Sequence, residues 1–120
     1  MAVTGTPLYQ MKAELFKSIG HPVRIRVLEL LSERDHAVHE LLEQIEVEQT
    51  GLSQHLAVLR RCGLVRQQRT AGQVIYSVTG DEVTDLLAAA RSFLKARSAE
   101  SEEALSRADE PAANQAGAAS

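Results

Sequence analysis

Cysteine occurs once in the 120 residues, at position 62. A single thiol excludes an internal disulfide and a cysteine-built structural zinc site, and it suits a reducing, cytoplasmic setting. Aromatic side chains make up 3% of the chain, too few to fill a large core by themselves. Long apolar runs are also missing. The longest, Leu86 to Ala90, is far shorter than a membrane span. The first residues show neither the basic segment nor the apolar stretch of an export signal, so a soluble, cytoplasmic protein is expected. The length suits one small domain. A chain this small buries only a modest part of its surface alone, which makes a partner subunit a reasonable expectation.

Acidic residues outnumber basic ones, 16 against 13, for a formal net charge of -3. That excess is concentrated in residues 98–120, SAESEEALSRADEPAANQAGAAS, with five acidic side chains and one arginine; without them the balance becomes 12 basic against 11 acidic. The segment holds almost nothing large and apolar, so it cannot stay folded independently. Its first half contains good helix formers that extend the preceding helix, and Pro111 ends any such extension. The expected organisation is a flexible N-terminus over residues 1–6, a folded domain over 7–97 and a largely disordered acidic tail over 98–120.

Within the folded part, Leu8, Met11, Leu15, Phe16 and Ile19 share one helical face. His21-Pro22 breaks that helix and starts a second, running to about Ser32, because proline is disfavoured inside a helix but suits its first turn. Val23, Val27, Leu30 and Leu31 form the core stripe of this second helix, widened by Ile25 and Leu28. A short helix from Ala37 to Ile45 follows, with Val38, Leu41, Leu42 and Ile45 at helical spacing and Asp35 available as its cap. The next helix, Thr50 to Arg61, turns Leu52, Leu56 and Leu59 inward, and Gly63 stops it. Leu64–Arg69 and Val74–Thr79 read as two strands of a hairpin around Gly72. Thr79-x-x-Glu82 has capping-box spacing before a last helix striped by Val83, Leu86, Leu87, Ala90, Phe93 and Leu94.

The stretch from Glu46 to Thr79 carries four arginines and, from Gln49 onward, no acidic residue. Two short helices across a turn, then a hairpin, are the parts of a winged helix-turn-helix. The fold expected is mainly α with a small β-hairpin, in the order α-α-α-α-β-β-α. Its first and last helices carry more apolar surface than a compact monomer can cover, which favours dimerisation through them. A helix entering the major groove needs an apolar rear face and short polar side chains in front. Gln49, Thr50, Ser53, Gln54 and His55 match that need, while Arg60, Arg61, Arg66 and Arg69, with Gln73 on the wing, have the reach and charge for phosphates. The free N–H groups near Thr50 suit a further phosphate. Glu40, Glu43, Glu46 and Glu48 lie just upstream and must point away from DNA or weaken its binding. His55 has a second reading, as a core-facing side chain.

Residues 8–97 resemble the ArsR/SmtB family of bacterial winged-helix repressors, through HPVRIRVLELL, LSQHLAVLRRCGLV and GQVIYSV. The resemblance implies a homodimer joined through the first and last helices, bound to an inverted-repeat operator in double-stranded DNA, with affinity controlled by a metal ion or another signal. It carries DNA contact to Ser53, Gln54 and His55 and to the wing around Gly72. Gly51 departs from the pattern, which often has a hydroxyl or larger side chain there. Metal-responsive relatives use a Cys-Val-Cys or Cys-Val-Gly sequence before the reading helices, where this chain has Ala37-Val38-His39. Others use His and carboxylate pairs on the last helix, where residues 81–97 contain no histidine.

His36 and His39 remain as a candidate pair for nickel or zinc, since two imidazoles three residues apart on one helix can share an ion. On that basis a second reading is a metal-binding adaptor acting with a second regulatory protein. Cys62, beside Arg60 and Arg61, reads first as a buried structural thiol and second as a redox-sensitive one. An enzyme is the least expected class: Ser53 and His55 are too close on one helix for a nucleophile and base, and no orienting third group or phosphate loop is recognisable.

Overall fold

The computed structural model describes residues 5–108. Helix α1 (Leu8–Ile19) ends where Gly20-His21-Pro22 turns the chain into α2 (Pro22–Glu33). Proline occupies the first turn of α2, where its missing N–H costs nothing, and His21 Nδ1 accepts from Val23 N–H at 3.1 Å. Strand β1 (His36–Ala37) leads directly into α3 (Val38–Gln44), and a short turn leads to α4 (Gln49–Arg61). Strands β2 (Val65–Thr70) and β3 (Gln73–Val78) form the wing before α5 (Asp81–Ala108).

The short strand β1 extends the expected element order. It pairs antiparallel with β3, His36 opposite Tyr76 and Ala37 opposite Ile75, making a three-stranded sheet in the order β1-β3-β2. Two residues are too few to show a period in sequence. They form a strand because the chain leaving α2 runs along the open edge of β3, where its backbone groups find partners. The start of α3 also differs from expectation. Asp35 is exposed and does not cap it; Glu40 reaches back instead and accepts from Ala37 N–H at 2.9 Å. That hydrogen bond, helped by Arg34 3.5 Å away, holds the Glu40 carboxyl below the usual carboxylate range.

The core lies where α2, α3 and α4 meet the sheet. Val27, Leu28, Leu41, Leu52, Leu56 and Leu59 are at most 1% exposed. Leu52, Leu56 and Leu59 form the inner face of α4, as their spacing predicts. The helix then stops sharply. Gly63 takes a positive φ of 76°, its N–H donates to Arg60 C=O at 3.0 Å, and Leu64 N–H donates to Leu59 C=O at 2.9 Å. Buried Leu64 packs at this end, so the glycine stop and the apolar contact belong to one motif.

The wing turns through Ala71 and Gly72, both with positive φ, at 51° and 81°. Two such residues define the primed turn whose twist matches a hairpin. Alanine is a poor occupant of the first position, and asparagine a good one. We expect Ala71→Asn to stabilise the protein by about 0.5–1 kcal/mol, seen as a raised thermal midpoint; an unchanged or lowered midpoint would show that the turn is not limiting.

At the far end of the wing, Thr79 does not cap α5. Its hydroxyl donates to Gly63 C=O at 2.7 Å, tying the end of β3 to the end of α4, and α5 starts two residues later at Asp81. The described residues up to Asp85 form one compact unit, and those from Leu86 form another. In the second, α5 passes residue 97 without a break and continues to Ala108, with Phe93 and Leu94 each 62% exposed and Arg97 over the Phe93 ring. Position 97 thus marks a change of composition inside a helix. The rest of the acidic tail, residues 109–120, and residues 1–4 of the N-terminal segment lie outside the described residues.

Candidate nucleic-acid interface

Helix α4 separates its side chains into three strips. The inner one is the leucine face. Gln49, Thr50, Ser53, Gln54, Ala57, Arg60 and Arg61 are all exposed, and their spacing of three and four residues makes one outward strip. Gly51, His55 and Val58 are half-buried and form the flank between them. The outward strip begins at a helix N-terminus with no side-chain cap and no acidic residue in its first turn. Unsatisfied N–H groups and the positive end of the helix dipole are therefore available there to an anion. Along the strip, short hydroxyl and amide side chains give way to two arginines, an arrangement that can read base edges at one end and hold phosphate at the other.

Gly51 has a packing reason. A Cβ at this position would lie 3.2 Å from the Val47 side chain, so glycine lets the turn before α4 close against the helix. The wing adds Arg66, Arg69 and Gln73, all exposed. The register places Arg66 opposite Ser77, Arg69 opposite Val74 and Thr70 opposite Gln73. Since neighbours alternate across a strand, Arg66 and Gln73 share one face of the ribbon and Arg69 takes the other. The wing arginines therefore do not form a single row, and Arg66 also donates weakly to Val78 C=O at 3.4 Å.

His55 is set apart from the other expected contacts. It points along the flank of α4 toward the start of α2, where Arg24 Nε donates to its Nδ1 at 3.1 Å and the His21 ring lies 4.2 Å away, tilted by 44°. It lies on the flank, outside both the leucine core and the outward strip. Burial, then His21, then Arg24, push its basicity below the ordinary histidine value. Arg24 was not singled out as a functional residue by sequence; the signal available was its place three residues after His21 in the His-Pro-x-Arg motif.

The candidate metal pair is not assembled as expected. His36 lies on β1, ahead of the helix, is 4% exposed, and donates from Nδ1 to Arg34 C=O at 2.8 Å. His39 is exposed on α3. The two imidazoles do not share a helical face, and no group of three or more His, Cys, Asp or Glu side chains is placed to hold an ion among the described residues. Cys62 also departs from expectation. Instead of being buried it is exposed, with Sγ 2.8 Å from Ser18 Oγ. It terminates α4, so its side chain follows the flank strip rather than the leucine face.

Comparison with known proteins agrees with this geometry. The profile of the "Bacterial regulatory protein, arsR family" matches residues 21–67, from the cap of α2 into β2. The chain is 51% identical over 89 residues to the uncharacterized HTH-type transcriptional regulator Rv0081 of Mycobacterium tuberculosis, covering 73% of this chain and 78% of that protein. The crystal structure of Rv0081 superposes with a TM-score of 0.74 over 80% of this chain and 97% of that one. The transcriptional repressor BigR of Xylella fastidiosa, 35% identical, superposes with a TM-score of 0.66 over 71% of this chain and 87% of that chain. The homodimeric winged helix-turn-helix domain Mb0332 of Mycobacterium bovis, at 24% identity, shares the fold with a TM-score of 0.68 over 76% and 89% of the two chains. A buried leucine face, an outward strip without acidic residues, a β-wing and these matches place the chain in the ArsR family of winged helix-turn-helix, DNA-binding transcriptional regulators, and not among enzymes.

Proposed function

We propose that this protein is a homodimeric repressor that acts in the cytoplasm and binds an inverted-repeat operator, with the outward strip of α4 in the major groove and the wing against the adjacent backbone. The observation that carries the reading is the division of α4: its leucine face is buried in the core while Gln49, Thr50, Ser53 and Gln54 are exposed at a helix start without a side-chain cap. A second copy is expected to cover the apolar side chains that α1 and α5 expose. Leu8, Tyr9, Met11 and Phe16 on α1 are 52–71% exposed, and Phe93 and Leu94 on α5 are similarly open. The Mycobacterium bovis relative with this fold is homodimeric. Two symmetric reading helices then require half-sites about 34 Å apart, one turn of DNA. The adaptor reading depended on an ion shared by His36 and His39, and no observation favours it.

Selection of bound duplexes from a random-sequence pool tests the proposal. A pseudo-palindrome with half-sites one helical turn apart is the expected product, bound by a dimer in sedimentation; recovery of unrelated sequences by a monomer would overturn it. On the recovered site, Arg69→Ala should weaken specific and non-specific binding alike and reduce the salt slope by about two, one phosphate contact in each half-site. An unchanged slope would remove Arg69 from the phosphate contacts.

A further inference from the structure

The reading helix is fastened at two points, on one flank, to the corner between α1 and α2. Arg24 makes the first. Its Nε donates to His55 Nδ1 at 3.1 Å while Nη1 donates to Ser18 C=O at 2.9 Å, a carbonyl in the last turn of α1 that has no partner further along the helix. Cys62, two helical turns beyond His55, makes the second through Ser18 Oγ. Proton directions agree throughout: Ser18 Oγ donates to Glu14 C=O at 2.9 Å and so accepts from the thiol. One residue of α1 thus receives Arg24 on its carbonyl and Cys62 on its hydroxyl.

The first fastening depends on the state of one imidazole. Because Arg24 can only donate, His55 Nδ1 must be bare, with the ring neutral and its proton on Nε2. Placing a proton on Nδ1 would set two donors face to face and add a cation beside the Arg24 guanidinium. Among the described residues, α2 and its cap supply both charged or titratable groups that act on His55, namely Arg24 and His21. From α1, Ser18 reaches the site only through its bond to Arg24. Neither α1 nor β2 supplies a carboxylate that would favour the charged ring.

We infer that Arg24 is the positioning residue of the DNA-reading helix, that it sets the orientation of α4 by holding neutral His55 against the α1–α2 corner, and that protonation of His55 releases this hold and weakens sequence-specific DNA binding. The inference rests on the DNA-binding reading above. Its sign distinguishes it from ordinary electrostatics. A histidine touching phosphate would strengthen binding in acid, because the new charge meets DNA. A histidine that must accept from arginine does the reverse. The same sign applies to the fold: His55 binds its proton more readily in the unfolded chain, so the stability it contributes is complete above the ordinary histidine value and is lost as pH falls through it toward the lowered folded value.

The test uses the full chain and a duplex recovered by the wild type from a random pool at about pH 7.5, with a scrambled duplex as the non-specific reference. Affinities are measured at fixed ionic strength at about pH 7.5 and about pH 5.5, either side of the ordinary histidine value. For the wild type, the ratio of specific to non-specific affinity should fall about tenfold in acid, short of the roughly 10²-fold that complete loss of one charge-assisted hydrogen bond in each protomer would give, because the lowered basicity leaves part of His55 neutral. His55→Asn, whose Oδ1 can accept from Arg24 without titrating, should keep the ratio at the higher pH and lose the fall. Arg24→Met should lower the ratio by roughly 10²-fold at the higher pH, one bond being lost in each protomer, and show no further fall in acid. A wild-type ratio that is flat or rises in acid overturns the inference, as does a fall that persists in His55→Asn. If no duplex is recovered at the higher pH, the DNA-binding reading itself fails and this inference with it, a result distinct from specific binding that ignores pH.

Discussion

Leu56→Ala should destabilise the fold by about 2–5 kcal/mol, the range for removing a buried leucine side chain from a packed core. The expectation follows from where α4 keeps its leucines. Leu56 is 1% exposed, between Leu52 and Leu59 on the same face, and both of those are fully buried. A helix this short does not persist in water on its own, so its orientation is supplied by that face. The loss is a large share of the roughly 5–15 kcal/mol that holds a typical domain together. Denaturant titration gives the number directly. A loss below about 1 kcal/mol would mean that the leucine face is not what anchors the reading helix.

Gln54→Ala should leave stability unchanged, because Gln54 is exposed and lies opposite the leucine face. Its effect belongs to DNA. A glutamine that bonds an adenine edge through both amide atoms discriminates against the wrong base by about 1–3 kcal/mol. In a symmetric dimer that loss is incurred once in each half-site, so the affinity for the selected operator should fall by roughly 10²-fold or more while scrambled DNA is bound as before. A matching substitution at one base pair of each half-site should then be tolerated by the variant and not by the wild type. Equal losses on operator and scrambled duplex would assign Gln54 to the backbone. No loss on either would remove it from the interface.

These two substitutions bracket what could be read from the residues alone. The leucine spacing of α4, the Pro22 start of α2, the Gly63 stop and the hairpin around Gly72 are local signals, each governed by one period or one backbone preference, and all appear where the sequence places them. What was not legible depends on contacts between distant segments. Strand β1 exists because β3 offers an edge, and that edge lies some 40 positions further along the chain. Thr79 has capping-box spacing, yet its hydroxyl is claimed by Gly63 across the end of α4. His55 has the composition of a base-reading residue, but Arg24 and His21 draw it to the flank. His36 was placed on a helix with His39, and a two-residue strand put it in the sheet instead. In these cases a contact with another segment decides the outcome, which periodicity does not reveal.

The outward strip of α4 and the wing are expected to form the surface that meets DNA. Backbone amide shifts recorded while the selected duplex is added to the isotopically labelled protein test it most directly. The largest changes are predicted at Gln49 to Gln54 and at Arg69 to Gln73, with Glu43 and Gln44 of α3 little affected. Large changes confined to α3 or α5, with the start of α4 and the wing silent, would place the DNA-binding surface elsewhere.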